Sequence, residues 1–257
     1  MPTALITGAS SGIGMELAKC FATDHHNVIL VARRKEKLEQ LAYDLREIHG
    51  VRAHVFACDL GQPGAARELY EQIKGEDLEV DFLINNAGIG QNGKFHELDA
   101  GQMSTMLHLN VTALTELTRY FLPEMIERNK GKILNVGSTA GFQPGPHMAV
   151  YYATKAYVYS FTEALAEELK DTRITITNLA PGATDSEFKE RADMNGTVLF
   201  AMGAMSPEEV AKAGYKAMLR GKSLVIPGLK NKLIPVGANI LPRKVMRKIV
   251  HRVNRDK

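Results

Sequence analysis

Tyr151 and Lys155 stand four residues apart in Tyr151-Tyr152-Ala153-Thr154-Lys155, and Ser138 precedes the tyrosine by thirteen residues. Residues four apart on a helix share a face, which brings the ammonium close to the phenol. An unperturbed phenol has a pKa of about 10 and is a reluctant base. A neighbouring cation favours the phenolate and makes the group a usable proton donor and acceptor. A serine hydroxyl beside it can fix a reacting oxygen by hydrogen bonding. Such a set suits hydride transfer to a carbonyl, where the alkoxide that forms needs a proton. Spacing alone does not establish this, because Tyr70 and Lys74 have the same interval and read as a surface helix pair. Tyr151 differs in position: it is expected to open a helix after a serine at the C-terminal end of a strand. That edge is where open α/β sheets hold ligands. Tyr152, Tyr157 and Tyr159 have no lysine four residues on and read as packing or interface residues.

The elements that must position these groups alternate along the chain. Apolar runs at 4–7, 28–31, 51–57, 82–84, 132–136, 174–179 and 224–226 are rich in Val, Ile and Leu with little alternation. They predict strands of a parallel sheet covered on both faces. Helical patterns lie between them at 13–22, 35–48, 64–74, 101–127, 151–169 and 207–220. Ser206 followed by Pro207 is a good helix start. The expected fold is a single Rossmann-like α/β domain over 1–239, a doubly wound parallel sheet of about seven strands flanked by helices. A basic tail follows at 240–257.

Thr7-Gly8-Ala9-Ser10-Ser11-Gly12-Ile13-Gly14 joins the first strand to the first helix. Glycines there permit a tight turn and a close backbone approach, so that amides at the helix N-terminus can face a pyrophosphate. The spacing is Gly-x3-Gly-x-Gly, which differs from the more familiar Gly-x-Gly-x-x-Gly. The end of the second strand indicates which dinucleotide is bound. Proteins that use NAD tend to place an acid about 20 residues past the glycines to grip the ribose 2′-hydroxyl. Here the run is Leu30-Val31-Ala32-Arg33-Arg34-Lys35, with no acid and three cations. That favours a 2′-phosphate, and hence NADP(H) over NAD(H). Arg33 is the expected phosphate contact, helped by the Ser10 or Ser11 hydroxyl, and Arg34 is expected to stack on the adenine.

With Asp59-Leu60, Asn85-Asn86-Ala87-Gly88, Asn110, Ser138, Tyr151-x3-Lys155 and Pro181-Gly182 following in order, the chain resembles the short-chain dehydrogenase/reductase family over nearly its whole length. The resemblance implies an NAD(P)-dependent oxidoreductase with Ser138, Tyr151, Lys155 and Asn110 as its catalytic set. It implies that Lys155 also holds the nicotinamide ribose and that Asn110 holds a water relaying protons. Asp59 is implied at the adenine edge, with Leu60 beside it, and Asn86 at the adenosine ribose, next to Ala87 and Gly88. Pro181, Gly182 and Thr184 are implied at the nicotinamide, with Ser186 as the alternative hydroxyl. A homodimer or homotetramer through the long helices is implied as well. A catalytically silent NADP(H)-binding regulator is the alternative, and the intact Ser138, Tyr151 and Lys155 set speaks against it.

The substrate pocket is expected between Ser138 and Tyr151, with Phe142, and in a lid at 186–206 containing Phe188, Met194, Leu199, Phe200 and Met202. These segments are apolar, so the expected substrate is a lipophilic ketone, aldehyde or secondary alcohol. In the tail, Val245, Met246, Ile249, Val250 and Val253 fall on one helical face among basic residues. That stripe can meet an anionic membrane surface, its own domain or a neighbouring subunit. Residues 240–257 carry a net +6 and residues 1–239 a net −3, within an overall +3 that gives no reason to expect nucleic-acid binding. Two cysteines, Cys20 and Cys58, make neither a disulfide framework nor a zinc site. His108 has no second ligand near it in the sequence, so no metal is expected. No run of about 18 apolar residues is present to span a bilayer. The first strand begins too early for a signal peptide, and a cytoplasmic location is expected.

Overall fold

The computed structural model describes residues 1–201 and 203–255, so Met202 of the expected lid and Asp256 and Lys257 of the tail lie outside the described residues. The strands are β1 (Thr3–Thr7), β2 (Asn27–Ala32), β3 (Ala53–Ala57), β4 (Phe82–Asn85), β5 (Gly131–Val136), β6 (Ile174–Leu179) and β7 (Leu224–Val225). They form one parallel sheet in the order β3-β2-β1-β4-β5-β6-β7. The helices are α1 (Gly12–Thr23), α2 (Lys35–His49), α3 (Ala65–Gly75), α4 (Ala100–Leu107), α5 (Leu114–Glu127), α6 (Ala149–Glu168), α7 (Glu187–Arg191), α8 (Val198–Ala201), α9 (Pro207–Leu219), α10 (Leu233–Ile240) and α11 (Arg243–Asn254).

Strand side chains alternate between faces, and here both faces are dry. In β1, Ala4 and Ile6 join Leu17, Phe21, Leu38 and Val210 on one side of the sheet. Leu5 joins Leu69, Leu117, Phe121 and Ile133 on the other. This explains why the strands read as unbroken apolar runs. The strand order reverses between β1 and β4, and the crevice beyond that point is where such sheets bind ligands.

Three departures from the sequence pattern bear on the site. The helix expected at 101–127 is two helices joined by a π-helical turn, His108–Ala113, with Asn110 inside it. Helix α6 starts at Ala149, so Tyr151 lies in its first turn without opening it. The tail does not stand apart: Met246 and Val250 of α11 are buried against Tyr152, Met148 and Met194. Asn254 accepts from the Tyr152 hydroxyl at 3.2 Å and donates to the Pro146 carbonyl at 2.9 Å. Among the described residues no helix is long and apolar enough to cross a membrane.

Candidate active site

A cleft of about 530 Å³ runs along the C-terminal edge of the sheet. All the residues expected to hold the cofactor line it except Gly14, which packs behind the wall. The turn after β1 can only be made with glycines. Gly8 has φ +67°, and a Cβ there would lie 2.7 Å from Asn86 Nδ2; a Cβ on Gly14 would lie 2.4 Å from the Gly8 carbonyl oxygen. Ser11 caps α1 in position only, since its side chain makes no capping bond to the first-turn amides. Those amides therefore face the cleft as a ready anion site. Asn86 does not reach outward with its amide nitrogen. It donates to the Thr7 carbonyl at 2.8 Å, while the Thr7 hydroxyl accepts from the Asn86 and Ala87 amides. The motif after β4 thus braces the glycine turn. A tight, uncapped turn beside a long cleft fits a dinucleotide.

At the far end of β2, Arg33 is exposed and lines the cleft. Arg34 is not a free plane for adenine. It donates to the Ser10 hydroxyl at 2.9 Å and the Ser11 hydroxyl at 3.0 Å, and pairs with Glu187 at 2.8 Å. Lys37 meets the same carboxylate at 2.9 Å, and Arg191 pairs with it from within α7. Burial alone pushes Glu187 up, but Lys37 and Arg34 outweigh it and hold the carboxyl at about 2. Glu187 thereby ties the lid to the dinucleotide end, a long-range link with no local sequence signal. Asp59 keeps its carboxylate on the Gly61 amide at 3.1 Å. The Thr184 hydroxyl donates to the Gly182 carbonyl at 3.1 Å, so Ser186, which also lines the cleft, is the less committed of the two hydroxyls.

Ser138, Tyr151 and Lys155 meet at the middle of the cleft. Ser138 follows β5, accepts from the Ala140 amide at 3.1 Å and donates to the Pro181 carbonyl at 3.4 Å. Lys155 donates to the Val136 carbonyl at 2.8 Å, with its Nζ 5.8 Å from the centre of the Tyr151 ring. The lowering of the phenol pKa was expected from Lys155 together with an oxidised nicotinamide; the protein alone shows the desolvation that such a cofactor would act against. Burial pushes Tyr151 up to about 12, and the nearby Ser138 hydroxyl opposes this only in part. Burial also pushes Lys155 down to about 8. Both groups sit in a dry wall, where desolvation outweighs their attraction across that gap. At neutral pH the phenol therefore keeps its proton and the lysine its charge.

Asn110 stands behind the cleft, 1% exposed. Its Oδ1 accepts from the Ile89 amide at 3.0 Å, and its Nδ2 donates to the Ile89 carbonyl at 2.9 Å and to Thr154 at 3.1 Å. These bonds pin the loop after β4 to α6, and the π turn aims the Asn110 side chain there. Such turns recur at functional sites. Sequence reasoning also missed a row of buried amides, Asn85, Asn135 and Asn178, in register on β4, β5 and β6. Asn85 donates to Asn135 at 2.9 Å, and Asn135 to Thr162 of α6 at 2.9 Å, which fixes α6 against the strands that carry Ser138. Their only sequence signal was three asparagines at strand ends.

Phe188 lines the cleft, and its ring centre is 5.4 Å from that of Tyr151. Phe142 does not; it turns away and packs edge-on against Tyr159 at 4.8 Å. Met148, Met194, Leu199 and Phe200 form an apolar half of the cleft, completed from the tail by Met246, Ile249 and Val250. Among the described residues no cluster of potential metal ligands occurs.

Comparison with known proteins gives the family. Residues 2–195 match the family model for short chain dehydrogenases. The chain is 35% identical over 237 residues to an NADP-dependent 3-hydroxy acid dehydrogenase of Schizosaccharomyces pombe, covering 87% of this chain and 89% of that protein. It is 36% identical over 184 residues to a very-long-chain 3-oxoacyl-CoA reductase of Anas platyrhynchos, covering 69% of this chain and 58% of that protein's length. A short-chain dehydrogenase from Sphingobium yanoikuyae, solved in complex with NADPH, superposes with a TM-score of 0.85 at 34% identity, covering 96% of this chain and 95% of that one. The chain belongs to the short-chain dehydrogenase family of oxidoreductases.

Proposed function

We propose that the protein catalyses the NADP(H)-linked, reversible reduction of a lipophilic ketone or aldehyde to an alcohol. The observation that carries the proposal is the meeting of three groups where a polar half of the cleft joins an apolar half. The polar half offers uncapped α1 amides and the exposed Arg33; the apolar half offers Phe188, Met194, Leu199 and Phe200. Between them stand the Ser138 hydroxyl, the Tyr151 phenol and the Lys155 ammonium.

The bound cofactor supplies or accepts the hydride. Arg33 would meet its 2′-phosphate, the first turn of α1 its pyrophosphate, and Lys155 its nicotinamide ribose. Ser138 would donate to the carbonyl oxygen and hold it beside Tyr151. As negative charge grows on that oxygen, the phenol gives up its proton to it. The phenolate left behind is stabilised by the Lys155 ammonium. In the alcohol-to-carbonyl direction the same phenolate takes the proton back. The apolar half excludes water and holds the substrate's hydrocarbon part. A homodimer or homotetramer through α4, α5 and α6 belongs to the same proposal, supported by the outward-facing Leu107, Ile126 and Tyr157 on those helices.

The test is a carbonyl panel followed by loss of reduced-nicotinamide absorbance with NADPH and with NADH. Steroid, fatty-chain and aromatic ketones should be reduced with NADPH preferred. Turnover confined to short, charged carbonyls, or a clear preference for NADH, would refute the proposal.

A further inference from the structure

The C-terminal part of the chain carries an exposed surface that extends beyond the catalytic cleft. Residues 210–255 include twelve lysines and arginines and no carboxylate. On α10, Leu233, Val236 and Ile240 fall at helical spacing on one face, and Ile240 is 75% exposed. Leu229, just before that helix, is 82% exposed, and Val245 and Ile249 of α11 are exposed as well. The two helices pack together where Gly237 approaches Met246. Contiguous exposed apolar side chains of this size mark interaction sites. Lys230, Lys232, Arg243, Lys244, Arg247 and Lys248 are interspersed with them, all exposed.

The same helices wall the catalytic cleft. Leu233 and Ile249 line it and also face solvent, so the apolar surface runs without a break into the mouth of the cleft. We propose that the α10–α11 face docks on the surface of an anionic lipid bilayer. Its leucines, valines and isoleucines would enter the acyl boundary and its lysines and arginines would meet the lipid phosphates. Charge complementarity selects this occupant. A second copy docking through the same face about a two-fold axis would set against itself two helices, α10 and α11, that carry no carboxylate among the described residues. A membrane offers many phosphates over an apolar layer, which matches both parts of the face. This docking goes beyond the catalytic reading and stands independently of which carbonyl the cleft accepts.

The experiment is flotation of the full chain with vesicles of phosphatidylcholine alone and of an equimolar mixture of phosphatidylcholine and phosphatidylserine. The protein should rise with the anionic vesicles, stay behind with the neutral ones, and lose binding as salt is added. A near-surface lysine is worth about fivefold in partitioning, so the pair Lys244→Ala and Lys248→Ala should weaken binding about twenty-five-fold. Ile240→Asp should remove it, and circular dichroism checks that each variant is folded. Absence of wild-type flotation with anionic vesicles overturns the proposal, as does equal flotation by the variants. An assembly in light scattering that Ile240→Asp dissolves overturns it too, because a second copy then covers the face.

Discussion

Replacing Lys155 with methionine should stabilise the protein at neutral pH while removing its turnover. Lys155 is 5% exposed, and burial alone pushes its ammonium from 10.5 down to about 8. Holding that charge at pH 7 in a dry wall therefore costs about 3 kcal/mol of stability. Methionine keeps the length of the side chain and sheds the charge. It also leaves the Val136 carbonyl without its 2.8 Å charged partner, a loss of about 2 kcal/mol. The net gain is about 1 kcal/mol, or a rise in Tm of about 2–4 °C for a chain of this size. The pH dependence carries a sign of its own. The unfolded lysine keeps its proton up to 10.5 and the folded one loses it near 8, so between those values the unfolded state binds more protons. Wild-type stability should gain on the variant's across that window, and the order of the two should invert by its upper end. Calorimetry of both proteins without added cofactor, from neutral to alkaline pH, reads this difference directly. A variant that melts at or below wild type at neutral pH, or a difference that does not change with pH, would show that Lys155 is not a strained cation.

Tyr151→Phe removes the proton donor and keeps the ring against Phe188. It should lower kcat by about 10²–10⁴-fold while NADPH still binds, as measured by nicotinamide fluorescence. Arg33→Ala should weaken NADPH binding by about tenfold and leave NADH binding unchanged, because only the former carries the 2′-phosphate. Asn254→Ala cuts the link from Tyr152 to the Pro146 carbonyl. The buried polar groups it strands cost about 1–3 kcal/mol, seen as a lower Tm, and a loosened cleft wall should raise KM more than it lowers kcat.

What could be read from the sequence was what neighbouring residues determine together. The apolar runs marked strands because both faces of the sheet are dry, and the glycine turn was visible because a side chain at Gly8 or Gly14 would strike backbone or Asn86. Ser138, Tyr151 and Lys155 could be placed on one edge from strand and helix order alone. The rest depends on contacts that local pattern does not encode. Nothing near Glu187 announces that Arg34 and Lys37, some 150 residues earlier, will claim its carboxylate. Phe142 was expected in the pocket from its position between Ser138 and Tyr151, but a short 3-10 turn, Thr139–Phe142, rotates it towards Tyr159. The π turn at Asn110 has no signature in a helical pattern that continues on either side. The tail stripe was visible as amphipathic, yet only packing shows that Met246 and Val250 turn inward while Val245 and Ile249 remain outside.

The protonation of the site sets which form of Tyr151 each direction of the proposed reaction starts from. With the phenol raised to about 12 and the ammonium lowered to about 8, neutral solution leaves Tyr151 neutral and Lys155 charged. That is the state carbonyl reduction consumes, since the developing alkoxide meets a phenol still carrying its proton. Alcohol oxidation needs the opposite, a phenolate, which the protein alone does not supply at that pH. The positive charge of an oxidised nicotinamide favours the phenolate, so oxidation depends on the bound cofactor for its base in a way that reduction does not. The desolvation that shifts both groups comes from the same apolar walls that would exclude water from the substrate. Polarity introduced into the lid beside Tyr151 would relieve that desolvation and lower the phenol, so the alcohol-oxidising activity should set in at lower pH.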